Sequence, residues 1–157
     1  MFFKNTCQIT EYRFLKVKYE SKVTWHVAED YLRCTPHFGN SQEPRHDCVM
    51  VRTAEKVIFA SLIFLFAYEI GDQQHLFALV HAYDAPTGLL RQKEKDIGLI
   101  RLRAKHRKEA EFIPIQSIIR GAYIVPEFDH VDEYHVVDSN DGDIFLRLQE
   151  MYSFLAP

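Results

Sequence analysis

The sequence is poor in the features that mark most enzymes, secreted domains and membrane proteins. Among its 157 residues are three cysteines, Cys7, Cys34 and Cys48, with no CxxC pair. An odd, widely spaced set supplies no disulfide framework and suits a reducing compartment. GxSxG, P-loop, GxGxxG and HExxH patterns are all absent, so an enzyme has no motif to rest on. The start, MFFKNTCQITEYRF, lacks the basic segment, apolar core and small-residue cleavage site of a secretion signal. An intracellular protein is expected, and the abrupt opening into strand-like sequence suits one domain of a longer parent. The longest apolar run, VIFASLIFLFAY, has twelve residues and is flanked by Lys56 and Glu69, against the ~18 or more of a membrane span. Low-complexity tracts and internal repeats are missing too. A composition of 47% hydrophobic and 26% charged residues is that of one globular domain, not of a disordered chain. The net charge of -3 excludes a domain that coats nucleic acid through its overall field, so any such binding is local.

What is present is organised around residues Val57 to Tyr83, where VIFASLIFLFAY, the turn EIGDQQ and LFALVHAY read as two antiparallel strands. The first run is apolar at both parities, Val57, Phe59, Ile63 and Leu65 against Ile58, Leu62, Phe64, Phe66 and Tyr68, which predicts a central strand covered on both faces. Upstream, Tyr12 to Tyr19 and the alternating Val23, Trp25 and Val27 predict a first hairpin across Glu20-Ser21, followed by a loop from Glu29 to Glu43 and a short strand from Asp47 to Arg52. Downstream come a turn at Asp84 to Gly88, an outer strand from Ile97 to Ala104 and an extended edge segment at Phe112 to Ile115, where Pro114 withdraws a ladder donor. A helical turn at Gln116 to Arg120 and a strand at Ala122 to Val125 follow. Tyr134 to Val137 and Ile144 to Leu148 predict a last hairpin about DSNDGD, before a tail that is a short helix or frayed. The expected fold is mainly β: a small barrel or sandwich with long loops and one or two short helical turns, a single domain over 1–157 with its core at about 12–148.

Several of these segments, in one order, resemble the bromo-adjacent homology (BAH) domain, an SH3-like barrel of chromatin proteins. They are HDCVMV, KVIFASLIFLFAYEIGDQQ, LFALVHAYDAP, and later EFIPIQSIIRGAYIV followed by DEYHVV and DIFLR, covering about 45–148. Tyr83 and Pro86 match the family's aromatic-to-proline close, whereas His81 stands where an aromatic is expected and Ala85 where that family has arginine. The phrases IRLRAKHR, SIIRGAYIVP and VVDSNDGDIFLR are similar to the C-terminal β-rich domain of proteins from fungal transposable elements of the Plavaka type. Both resemblances imply a nuclear accessory module, the second one a companion of a parent transposase.

The candidate nucleic-acid surface is Arg101, Arg103, Lys105, Arg107 and Lys108, cations close enough along an exposed strand to contact successive phosphates. The same residues suit a solvated edge that discourages strand-to-strand aggregation, and Glu94, Asp96, Glu109 and Glu111 partly cancel their field. Trp25, Tyr31, Phe38, Tyr68, Tyr83 and Tyr134 are the aromatics that offer ring faces to a methylated ammonium or a nucleobase, with Tyr83, Trp25 and Tyr68 expected to contact a chromatin peptide. Cys34, His37, His46 and Cys48 follow no structural zinc spacing, the turn Asp138 to Asp143 does not match a calcium loop, and His46-Asp47-Cys48 sends Asp47 to the opposite strand face. Neither metal nor cofactor is expected. These residues together point to a non-catalytic binding module for nucleic acid or a chromatin peptide. A structural docking or oligomerisation domain is the alternative, and a metal-dependent hydrolase using Asp129, Asp132 and Asp138 a third. Oligomeric state is left open.

Overall fold

β-Branched and aromatic residues dominate the two apolar runs, and both form long strands. The computed structural model describes residues 8–40, 42–84 and 99–152. In chain order its strands are β1 (Gln8–Tyr12), β2 (Phe14–Glu20), β3 (Val27–Thr35), β4 (Arg45–His46), β5 (Cys48–Arg52), β6 (Val57–Ile70), β7 (Gln73–Asp84), β8 (Ile100–Ala104), β9 (Glu111–Pro114), β10 (Ile118–Ala122), β11 (Ile124–Pro126) and β12 (Glu133–Val136), followed by one helix, α1 (Gly142–Met151). All pairings are antiparallel. The main sheet runs β10-β5-β6-β7-β8-β12-β11, with β1 added to β6 and β9 to β7, and a second sheet runs β2-β3-β4. The protein is thus mainly β.

The β6–β7 register slips between Leu62 and Phe64, leaving Ile63 as the extra residue of a bulge. Before the bulge Ala60 and Leu62 point into the first core, and after it Leu65 does. That switch of parity is why the run reads as apolar on both faces. The first core lies between the main sheet and the β2–β3 hairpin, with Val17 and Leu32 meeting Val49, Leu62, Val80 and Ile118. The second lies on the other side, where Met50, Phe59, Leu102 and Val136 are closed over by Ile144 and Leu148 of α1. Fully burying each such side chain is worth about 1.5–3 kcal/mol.

Four expectations need correction. Val23 and Trp25 belong to a turn, not a strand, and the partner of β2 is β3, inside the stretch read as a loop. The inward residues of β3 include Asp30 as well as Leu32 and Cys34, and that polar position hides the alternation. The part of the Ile97 to Ala104 expectation that falls on described residues is not an outer strand: β8 (Ile100–Ala104) lies between β7 and β12, and residues 97–98 lie outside the described residues. Ile144 to Leu148 does not pair with β12 but winds as α1, because the Asp141 carboxylate accepts from the backbone N–H groups of Asp143 and Ile144 and caps the helix. The DSNDGD segment is therefore a cap, not a hairpin turn. The helical turn is a 3-10 turn at Ile115–Ser117, and β10 starts at the next residue. The edge placement of Phe112 to Pro114 holds, since β9 pairs with β7 alone. The expected turn over residues 85–88 and the end of the tail, residues 153–157, lie outside the described residues.

Arg120 ties the layers together. It is 4% exposed, and its guanidinium reaches Asp143 at 2.7 Å, Asp141 at 2.6 Å and Asp30 at 3.3 Å while lying 4.4 Å from the centre of the Tyr19 ring. Arg147 meets Asp143 from the other side at 2.6 Å and donates to the Glu20 carbonyl. The β2–β3 hairpin, β10 and α1 are thereby fastened at one point. Next to it, Gly121 donates its N–H to Asp30 at 2.8 Å. A Cβ on Gly121 would lie 2.8 Å from Leu32 Cδ2 and 3.3 Å from Asp30 Oδ2.

Two measurements check this account. Gly121→Ala is expected to lower the unfolding free energy by about 1–3 kcal/mol through overpacking, and an unchanged urea midpoint would refute the close approach. Burial alone would raise the Asp143 pKa, but hydrogen bonds from Arg147, the Lys22 N–H and Arg120 outweigh it and hold the carboxyl below its usual value. This stabilisation is present above about pH 4, the unfolded carboxyl range, and is lost as pH falls through the lower folded-state value. Arg120→Met strands the carboxylates and is expected to cost about 3–5 kcal/mol at pH 7. The difference from wild type shrinks at acid pH as the carboxyls protonate; an equal deficit across pH contradicts the ionic tie.

Candidate functional site

The turn between β2 and β3 is built by short-range bonds. Ser21 donates its N–H to the His26 carbonyl, and its own carbonyl accepts from Trp25 N–H at 2.8 Å. Its hydroxyl accepts from the N–H groups of Val23 and Thr24. A bond of 2.6 Å from Lys22 N–H to Asp143 pins the turn to α1. At its far side Trp25 has φ 60°, a left-handed conformation that costs a residue with a side chain about 1–2 kcal/mol. Packing does not offset that cost, because the residue is 73% exposed.

Beside this turn opens a cleft of about 700 Å3, within the roughly 300–1,000 Å3 of ligand sites. Its walls come from β2, the turn, the end of β5, the 3-10 turn and α1. They carry four cations, Lys18, Lys22, Arg52 and Arg147, one carboxylate, Glu20, and the rings of Tyr19 and Trp25. Arg147 is held by Asp143. Lys18 lies 3.6 Å from Glu29 and Lys22 lies 2.7 Å from Glu150. Such solvent-facing pairs contribute little, so either ammonium re-pairs with an arriving anion at small cost. Arg52 is exposed and makes no ion pair among the described residues.

The predicted basic stripe, like the cleft, is answered in part by carboxylates. Arg101 bonds Glu133 at 3.2 Å with its side chain 19% exposed, and Lys105 lies 3.8 Å from Asp84. Arg103 is exposed, and Lys108 stands in a short 3-10 turn at Arg107–Glu109 that supplies Arg107 as backbone. Carboxylates thus answer much of the charge of this strand. The three predicted peptide-contacting aromatics are not brought together. Tyr83 is 8% exposed in the second core, its ring 5.1 Å from Tyr134, and burial pushes its phenol far up. It does not sit at a surface turn because its strand position faces inward; Pro86 lies outside the described residues. Tyr68 stacks between His75 and Phe77 on the outer face of the sheet, Tyr83 borders a separate pocket of about 540 Å3 beside α1, and Trp25 reaches the cleft beside the β2–β3 turn.

Two features escaped the sequence. The cleft's cations come from three distant segments, Lys18 and Lys22 from β2 and its turn, Arg52 from β5 and Arg147 from α1, so no single spacing links them. Downstream of the bulge, Phe64, Phe66, Tyr68, His75 and Phe77 form an aromatic ladder across β6 and β7 that Phe112 of β9 joins edge-on. Only the cross-strand register reveals it.

Cys34 Sγ lies 3.6 Å from His46 Nδ1, but burial pushes the thiol up to about 11, which leaves it protonated and unreactive at neutral pH. Cys48 faces the Tyr83 hydroxyl and His37 the Gln42 carbonyl. No group of three His, Cys, Asp or Glu suited to a metal occurs among the described residues. No helix among them is long and apolar enough to cross a membrane.

No protein-family model, curated protein or solved structure matches the chain, so the chemistry of its surfaces is the ground for a functional reading.

Because Trp25 is strained and unpacked, Trp25→Gly is expected to raise the unfolding free energy by about 1 kcal/mol. A loss of stability in urea unfolding would show instead that the indole supports the fold.

Proposed function

We propose that this protein is a non-catalytic binding module that holds nucleic acid in the cleft beside the β2–β3 turn. The observation that carries the reading is the placing of Lys18, Lys22, Arg52 and Arg147 around one exposed tryptophan. Phosphates dominate the affinity of nucleic-acid complexes, and a local cluster suffices where the net charge is -3. Arg103 and Lys108 lie exposed elsewhere and extend the contact only if the ligand is long.

The scaffold we propose is a BAH-like barrel, belonging to a nuclear protein of transposon origin. In its support, the two ends of the main strand order, β10 and β11, are separated in the chain by Tyr123 alone. Residues from β5, β6, β7, β8, β10, β11 and β12 all face the second core, as barrel strands face a common interior. The family-like segments HDCVMV, KVIFASLIFLFAYEIGDQQ and LFALVHAY fall on the successive strands β5 to β7, whereas DIFLR is helical and departs from the pattern.

The aromatic ladder favours a second reading, docking onto a chromatin protein, a parent transposase or a second copy. Its rings are half-buried while Phe112 at its edge is 64% exposed, and apolar surface left open to solvent commonly marks interaction sites.

The nucleic-acid reading is checked by fluorescence anisotropy with a labelled oligonucleotide. With about three phosphate contacts the affinity for a single strand is expected to fall about twentyfold between 50 and 200 mM salt. Arg52→Glu is expected to weaken it at least as much while leaving the melting temperature unchanged. Binding that ignores both salt and Arg52 sinks the reading, and ligand-free dimerisation abolished by Phe66→Glu favours docking.

A further inference from the structure

We infer that the cleft selects single-stranded nucleic acid by stacking one unpaired base on the Trp25 indole, an inference that rests on the nucleic-acid reading above. Trp25 combines three properties that fit this use. Its backbone is in the left-handed region at φ 60°, where glycine or asparagine is the relaxed choice. The residue is 73% exposed, and no side-chain hydrogen bond, ring contact or cation lies against the indole among the described residues. The indole is therefore held out at a cost with no return from the fold, the signature of a side chain kept for a ligand.

The turn beneath it is pre-organised. Ser21, 8% exposed, bonds the turn at both ends, and Lys22 N–H is fastened to Asp143 at 2.6 Å, itself locked between Arg120 and Arg147. A ligand meeting Trp25 does not have to order the loop first, which lowers the cost of association. Stacking on an aromatic face accepts any base and needs that base out of a duplex. On the same cleft, Arg52 supplies a guanidinium without an ion-pair partner among the described residues and Lys18 an exchangeable ammonium for the flanking phosphates. A duplex offers the phosphates but hides the base faces, so it forfeits the stacking contribution.

The sequence holds a single tryptophan, so its emission reports this site and no other. Oligo-dT is titrated into the full chain at low salt, with an oligonucleotide of the same length containing only abasic sites and a duplex as companions. Anisotropy of each labelled strand reads binding independently. The expected result is quenching of Trp25 emission by oligo-dT and little change with the abasic strand or the duplex. Trp25→Ala is expected to weaken oligo-dT about tenfold, equivalent to about 1.4 kcal/mol, without weakening the abasic strand, and Trp25→Phe restores most of the loss. If oligo-dT binds while the emission stays constant, or Trp25→Ala binds it as well as wild type, the stacking inference is overturned and the polyanion cleft stands. If no strand binds at low salt, the nucleic-acid reading falls and this inference with it.

Discussion

A single buried guanidinium sets the relation between the layers of this protein. Arg120 stands among three aspartates drawn from β3, the helix cap and the first turn of α1, with Tyr19 over its face. Two cations, Arg120 and Arg147, face three carboxylates there, so both guanidiniums are needed to offset the acidic charge. Removing Arg120 leaves the buried Asp143 carboxylate short of a counter-charge. An apolar contact would hold the same elements together without fixing their register. The forked geometry of a guanidinium fixes angle as well as distance, and so determines where the β2–β3 turn projects.

The parts of the fold that were legible in the sequence are those set by local pattern. The central hairpin, the short strand from Cys48, and the proline-marked edge at β9 follow from β propensity, turn residues and a missing donor. What was not legible depends on partners far along the chain. Asp30 looks like a loop residue until it is seen accepting from Gly121 and facing Arg120. Asp141 looks like a hairpin residue until it is seen capping a helix whose buried Ile144 and Leu148 are four apart. In both cases an aspartate was assigned to a turn for its polarity, whereas its tertiary bonds place it inside.

The candidate site divides in the same way. Trp25 is visible as one aromatic among several, and its exposure and positive φ follow only from the turn that Ser21 closes. Arg52, Lys18 and Arg147 carry no signal of their own, because a cation at the end of a strand or on a helix is ordinarily just solvated. Tyr83 gave the opposite lesson: an aromatic beside a turn signal lies in the core, where its ring packs on Tyr134. The charged stretch after residue 100 was visible as a run of positive residues, but Glu133 and Asp84, which answer it, come from other strands.

Arg147 belongs to two structures at once, the wall of the cleft and the ionic tie beneath it. Its head group cannot be reshaped to suit a new ligand without disturbing the helix that Asp143 opens. Arg52 and Lys18 border the same cleft but take no part in that tie. The cleft's charge can therefore be altered at Arg52 or Lys18 with the corner that anchors the helix left intact.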